Sequence, residues 1–263
     1  MSKQKRLLKK LQKDLNQDPS QQSKLLDSPP VDNSPVVYQK SKLKNPLRII
    51  RRELTPKQQL FIDKALDKKT KMMLVSGPAG TTKTYLAVLA SLMLMNERKV
   101  SDIVYVRSIV ESADVKMGSL PGEKDDKMSP YKQPLIDKLD ELIPKNEVKF
   151  LTSENRIEGL PVGYLRGLNW NAKSIIGDEM QNCTKKEIIT LMTRTGEFSK
   201  VFLLGDPDQV DIRSGTGFRD IFNLFSDSES NEQGIYTFEF TEEDVLRSSL
   251  VRFIVKKIKK LGL

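Results

Sequence analysis

Lys71-Met72-Met73-Leu74-Val75-Ser76 runs directly into Gly77-Pro78-Ala79-Gly80-Thr81-Thr82-Lys83-Thr84, and this stretch decides the fold. The first part is a short apolar run, and the second is a glycine-rich turn. Thr84–Asn96 (TYLAVLASLMLMN) then follows, apolar on nearly every side. That order reads as a buried strand, a turn and a helix packed against a sheet. In a phosphate-binding loop, glycines let backbone N–H groups close around phosphate oxygens, and the helix N-terminus adds a favourable dipole. The lysine reaches the outer phosphates and the next hydroxyl binds magnesium. Gly77, Pro78, Ala79, Gly80, Thr81 and Thr82 form such a loop, with Lys83 and Thr84 in the last two roles. The pattern G-x-x-x-x-G-K-[ST] fails at one place, because Thr82 stands where the second glycine belongs. A β-branched residue tolerates positive φ poorly, at a cost of roughly 1–3 kcal/mol. Either the loop keeps negative φ at Thr82, or binding is weakened.

Further strands are expected at Ile103–Val106, Ser174–Gly177, Val201–Leu204 and Ile235–Phe240, with helical patterns at about 133–143, 184–195 and 242–261. Several of the strands are continuous apolar runs, as parallel strands buried on both faces are. Their alternation with helices predicts an α/β fold, a mostly parallel sheet flanked by helices.

Two more strands end in polar clusters. Ser174–Gly177 leads into Asp178-Glu179-Met180-Gln181-Asn182. A phosphoryl-transfer site needs one carboxylate at a neighbouring strand tip for the metal's water shell and often a second to orient or deprotonate the attacking water. Asp178 suits the first task and Glu179 the second. Val201–Leu204 ends at Gly205-Asp206-Pro207-Asp208-Gln209, where the Gln209 amide is placed to sense the terminal phosphate or position the water. In open α/β sheets the site lies at the carboxyl ends of the strands, where these clusters fall together.

Composition narrows the chemistry. The chain has no histidine and one cysteine, Cys183, so a Ser-His-Asp triad, a Cys-His pair and an intramolecular disulfide are excluded within one chain. Carboxylates, Lys, Arg, hydroxyls and a hard metal remain, a set suited to phosphoryl transfer. The formal charge of +9 is unevenly spread. Residues 1–54 hold 13 Lys and Arg against 5 Asp and Glu, and 251–263 hold five basic residues and no acid. The stretch between is mildly acidic. The longest uncharged apolar run, Thr84 to Met95, is too short to span a bilayer, and no signal-peptide pattern opens the sequence, so a soluble cytoplasmic protein is expected. Residues 3–16 read as a basic helix and 17–46, rich in Pro, Ser, Asn and Gln, as a linker. The expected division is a basic, disordered tail over 1–50 and a phosphate-binding domain over 51–263.

The chain resembles PhoH-family ATPases in their short, single-domain phage form. The likeness rests on TPKQ (55–58), SGPAGTTKTYLAV (76–88), VRSIVE (106–111), MGSLPGEKDDKMSPYKQPL (117–135), GYLRG (163–167), GDEMQNCT (177–184), LLGDPDQVD (203–211) and FTEEDVLRSSLV (240–251). The resemblance implies a RecA-like P-loop NTPase fold similar to the first lobe of superfamily 1 helicases, with ATP and Mg2+ as cofactors. It assigns Gln58 to the adenine, Gln209 to the glutamine of the GDxxQ motif, Arg247 to an arginine finger, and Arg107 and Arg166 to the nucleic acid or a neighbouring subunit's site. Thr82 and Met180 depart from the family pattern, the second expected to alter packing alone. The implied activity is ATP hydrolysis coupled to RNA or single-stranded DNA; the alternative is an ATP-dependent switch or assembly protein with little turnover. With a single lobe, the arginine would come from a neighbouring subunit, hence a homo-oligomeric, hexameric ring. Met117–Tyr131 reads as a long loop, lining a nucleic-acid path or packing subunits. The final pattern, with a basic face, reads as a core-packing helix or a nucleic-acid contact.

Overall fold

The computed structural model describes residues 43–108, 124–206 (side chains from 131 onward) and 217–246. The deciding stretch folds as read. Met72–Ser76 is strand β1, every residue buried, and Lys83–Asn96 is helix α2. Ahead of them Pro56–Leu66 forms α1, whose start is fixed by a capping box: Thr55 Oγ1 accepts from Gln58 N, and Gln58 Oε1 accepts from Thr55 N. TPKQ is thus also a local helix-start signal, with proline at the first helical position.

After α2 come β2 (Asp102–Arg107), α3 (Lys124–Leu142), α4 (Lys145–Ser153), β3 (Ile157–Pro161), β4 (Lys173–Asp178), α5 (Lys185–Met192), β5 (Lys200–Gly205), α6 (Phe218–Leu224), α7 (Ser228–Glu232) and β6 (Ile235–Glu239). The strands form one sheet in the order β3-β2-β4-β5-β1-β6, and every pairing is parallel. Side chains alternate across it. Met73 and Val75 of β1 enter a core shared with Phe61, Leu86, Tyr105, Leu135, Ile176 and Phe202. Met72 and Leu74 enter a second core with Val104, Ile175, Cys183, Ile188, Leu203 and Phe218. Because both faces are covered, the strands read as unbroken apolar runs, and each fully buried Leu, Val or Phe contributes about 1.5–3 kcal/mol. This is the RecA-like P-loop architecture, all-parallel among the described residues.

Several expectations need correction. Residues 43–50 fall within the expected tail, yet Leu43 and Leu47 are buried in the first core, and Leu47 exchanges hydrogen bonds with the Asn96 side chain at 2.7 and 2.9 Å. The polar composition around them masks two apolar anchors. Residues 124–131 lie in α3 rather than in the expected loop; Pro130 and Pro134 argue in the sequence for a later helix start. Residues 117–123 lie outside the described residues. Strand β3 is absent from the expected set: Gly159 and Pro161 break its pattern, and both are tolerated because it is an edge strand. Gly159 is required there, since a Cβ would sit 2.6 Å from Lys132 Cα. The last pattern begins not as an α-helix at 242 but as one 3-10 turn, Glu242–Asp244, capped by Thr241 and Asp244; Val245 then turns extended. The basic helix at 3–16, the linker up to 42 and the stretch 247–263 lie outside the described residues. No described helix is long and apolar enough to cross a membrane.

Candidate functional site

At the carboxyl edge of the sheet, β1, β4 and β5 open into a cleft of about 380 Å³. Gln58, Ala79, Gly80, Thr82, Lys83 and Thr84 line it on one side. Asp178, Glu179, Gln181 and Asp206 line the other. Register sets this convergence: Ser76 lies beside Gly205, and Arg107 beside Asp178. Gly77 follows β1 and packs so closely on β6's exit that a Cβ would lie 2.7 Å from Phe240 Cβ and 2.9 Å from its carbonyl oxygen.

The loop is closed by its own hydrogen bonds. Thr81 Oγ1 donates to Pro78 O at 2.8 Å, closing the turn. Lys83 curls over it, Nζ donating to Gly77 O at 2.6 Å and Pro78 O at 3.0 Å. The ammonium thus lies across the loop mouth where anionic oxygens would compete for it. Thr82 decides the alternative left open by the sequence. Its φ is 63° and its ψ 22°, the left-handed region, so the loop does not keep negative φ. The side chain compensates: Oγ1 donates to Thr81 O at 2.6 Å and accepts from Gln58 Nε2 at 2.9 Å. Gln58, buried, is therefore held at both ends of its amide, with Oε1 on Thr55 N and Nε2 on Thr82. A side-chain amide has two N–H groups and two lone pairs, so each end keeps capacity for a further hydrogen bond.

Across the cleft, Thr84 Oγ1 donates to Asp178 Oδ2 at 3.0 Å. The same oxygen accepts from the Tyr105 hydroxyl at 2.6 Å, and Oδ1 accepts from Glu179 N at 3.1 Å. Burial, and then the Asp178 carboxylate, push the Tyr105 phenol far up, so it remains a donor. Thr84 and Asp178 bring a hydroxyl and a carboxylate together beside the phosphate loop, hard oxygen groups that fit magnesium shared with substrate phosphates, held directly or through its water shell. Glu179 has a left-handed backbone, φ 55° and ψ 39°, which turns its carboxylate from the strand into the cleft. Its Oε2 accepts from Gln181 Nε2 at 2.6 Å, and its Oε1 lies 3.9 Å from Arg107 Nη2. The buried Gln181 also accepts from Asp206 N at 3.0 Å, and Asp206 Oδ2 accepts from Ala79 N at 2.7 Å. A continuous hydrogen-bonded path thus joins Glu179 to the phosphate loop.

Gln58, the loop 77–84, Asp178, Glu179 and Arg107 are brought together. Arg166 is exposed in the turn after β3, next to the exposed Tyr164. Gln209 and Arg247 lie outside the described residues, although Leu246 lines the cleft and its N–H donates to Gly80 O at 3.1 Å. Sequence reasoning missed Tyr105, Gln181 and Asp206. The last two are visible in the motifs DEMQN and GDPDQ; Tyr105 carries no local signal. Met180 is fully buried, and its Sδ lies 2.9 Å from where a Cβ on Gly177 would sit, so its role is packing. Cys183, in the same second core, is buried, and burial followed by Glu187 pushes its thiol up to about 12.

Comparison with known proteins identifies the family. The family described as PhoH-like protein matches residues 50–259. A PhoH-like protein of Mycobacterium tuberculosis is 35% identical over 206 residues, 78% of this chain and 56% of that protein. A PhoH-like protein of Bacillus subtilis is 31% identical over 193 residues, 73% of this chain and 60% of its own length. The chain spans little more than half the length of the curated relatives it matches. Among solved structures, Pif1 of a Bacteroides species in complex with ADP-AlF4 aligns at a TM-score of 0.35 and 16% identity, covering 78% of this chain and 45% of that one. Pif1 helicase of Candida albicans aligns at 0.34 and 14%, covering 73% and 41%. The family match over most of its length places the chain in the PhoH family.

Proposed function

We propose that the chain hydrolyses ATP and couples hydrolysis to binding or remodelling of RNA or single-stranded DNA. The observation that carries the ATPase reading is the meeting of Lys83, Thr84, Asp178 and Glu179 in one cleft at the ends of β1 and β4. Lys83 leaves the loop carbonyls to hold the outer phosphates, and the loop N–H groups take their oxygens. Thr84 and Asp178 hold magnesium, which when bound neutralises charge developing on the phosphates. Glu179, steadied by Gln181, accepts a proton from the attacking water. Gln58 reads the base, Gln209 contacts the terminal phosphate, and Arg247 completes the site from a neighbouring subunit of a ring. The nucleic-acid part rests on the basic residues of 1–54 and 251–263, with Arg107 and Arg166 as further contacts.

The test is steady-state hydrolysis and nucleotide binding with and without RNA or single-stranded DNA, at several salt concentrations. Lys83→Ala is expected to lose both binding and turnover. Glu179→Gln is expected to retain ATP binding and lose at least about 100-fold in rate. Unchanged hydrolysis in both variants overturns the assignment. A wild-type chain that binds ATP without turning it over replaces it with the switch reading, which the strained backbone at Thr82 favours.

A further inference from the structure

Asp178 is gripped by a residue that no loop motif supplies. Tyr105 lies in β2 with no exposed surface, its ring in the first core beneath α2. From there its hydroxyl reaches Asp178 Oδ2 at 2.6 Å, the oxygen that also accepts from Thr84 at 3.0 Å. With Glu179 N on Oδ1 at 3.1 Å, both carboxylate oxygens are held. The three donors have different duties. Thr84 Oγ1 must turn its lone pairs to a metal, and Glu179 N belongs to a backbone that positions another side chain. The Tyr105 hydroxyl, at the tip of a fully buried side chain, donates to Asp178. A phenol donating to a carboxylate is a charge-assisted hydrogen bond, about twice as strong as a neutral one, and fixes the rotation of the acceptor.

We infer that Tyr105 is a positioning residue, whose buried hydroxyl locks the Asp178 carboxylate in the orientation that receives magnesium together with Thr84. This rests on the reading of Thr84 and Asp178 as the magnesium-side pair. Partners that orient a ligand from behind commonly tune metal affinity about 10- to 100-fold. Tyr105→Phe removes one oxygen and keeps the ring, so its effect should fall on the metal and not on the loop.

The experiment is a Mg2+ titration of the binding of a ribose-labelled fluorescent ATP analogue to the full chain, followed by anisotropy and begun in EDTA. Tyr105→Phe is expected to match wild type without metal and to raise the Mg2+ midpoint about tenfold. Asp178→Asn serves as the reference and is expected to abolish the Mg2+-dependent gain. If Asp178→Asn shifts the titration and Tyr105→Phe does not, the hydroxyl merely satisfies its own burial, and the inference is overturned. If neither shifts it, the magnesium-side reading falls, and the inference with it. Should circular dichroism show Tyr105→Phe misfolded, Tyr105→Met, which also cannot donate, takes its place under the same two criteria.

Discussion

Thr82 combines a backbone that resists its own side chain with a side chain that restores what the backbone loses. A left-handed conformation costs a residue with a Cβ roughly 1–2 kcal/mol, and Thr82 adopts one at φ 63°. Its hydroxyl makes two hydrogen bonds, to Thr81 O and from Gln58 Nε2, each contributing about 1 kcal/mol. The two effects nearly offset. Thr82→Gly removes both and should leave stability within about 1 kcal/mol of wild type. Thr82→Ala keeps the backbone cost without the bonds and should be about 1–2 kcal/mol less stable than the glycine variant. Urea unfolding followed by the fluorescence of Trp170, buried in the second core, measures the difference; equal midpoints would sink the argument. The departure at Thr82 is legible in the sequence, as are the roles proposed for Lys83, Thr84, Asp178 and Glu179, because each sits inside a local motif. The compensation is not legible, because Gln58 lies in a different helix, and neither is Tyr105, whose partner lies two strands further along the chain.

Among the elements, legibility follows an unbroken run of strand-forming residues, which the half-buried edge strand β6 also has. Strands β1, β2, β4 and β5 are covered on both faces and announce themselves as apolar runs, whereas edge strand β3 has one turn-prone residue in its middle and another at its end. Helices α6 and α7 are too short to display a period. Strand β5 opens on a residue whose behaviour the pattern does not suggest. Lys200 is buried, and its Nζ donates to Asp67 O and Thr70 O, at and just beyond the end of α1. Burial, followed by repulsion from Lys99, lowers its pKa from 10.5 to about 8. Between those values the unfolded chain holds a proton that the folded chain has released, so this lysine's contribution to stability grows as pH rises from about 8 to 10.5. Below about 8 it is constant. The difference in unfolding free energy between wild type and Lys200→Met should therefore move toward wild type by on the order of 1–2 kcal/mol across that window, after allowance for solvent screening. Denaturation at pH 7, 9 and 10.5 tests it; a flat difference would contradict the burial argument.

At the scale of the whole molecule, the charge of +9 divides into basic ends and a mildly acidic middle that contains the described cleft. The cleft has its phosphate loop and carboxylates, and Arg247, the proposed arginine finger, lies outside the described residues. If a neighbouring subunit supplies Arg247, Lys83→Ala and Arg247→Ala should each be inactive alone, yet regain part of the wild-type rate when mixed, since some interfaces then pair an intact loop with an intact arginine. Light scattering with ATP should show a species several times the 29.9 kDa of one chain. A monomer at every concentration, with no recovery on mixing, would exclude the ring.

The burial of Cys183 has a practical consequence. Its thiol is buried and its pKa is pushed up by that burial, which disfavours the reactive thiolate, and the chain has neither a second cysteine nor a histidine. A cysteine introduced at the exposed Tyr164, or another outward position, would be the one thiol a maleimide dye can reach in the folded protein. The native sequence thus already provides a quiet background for fluorescence or spin-label measurements, with no residue to remove first.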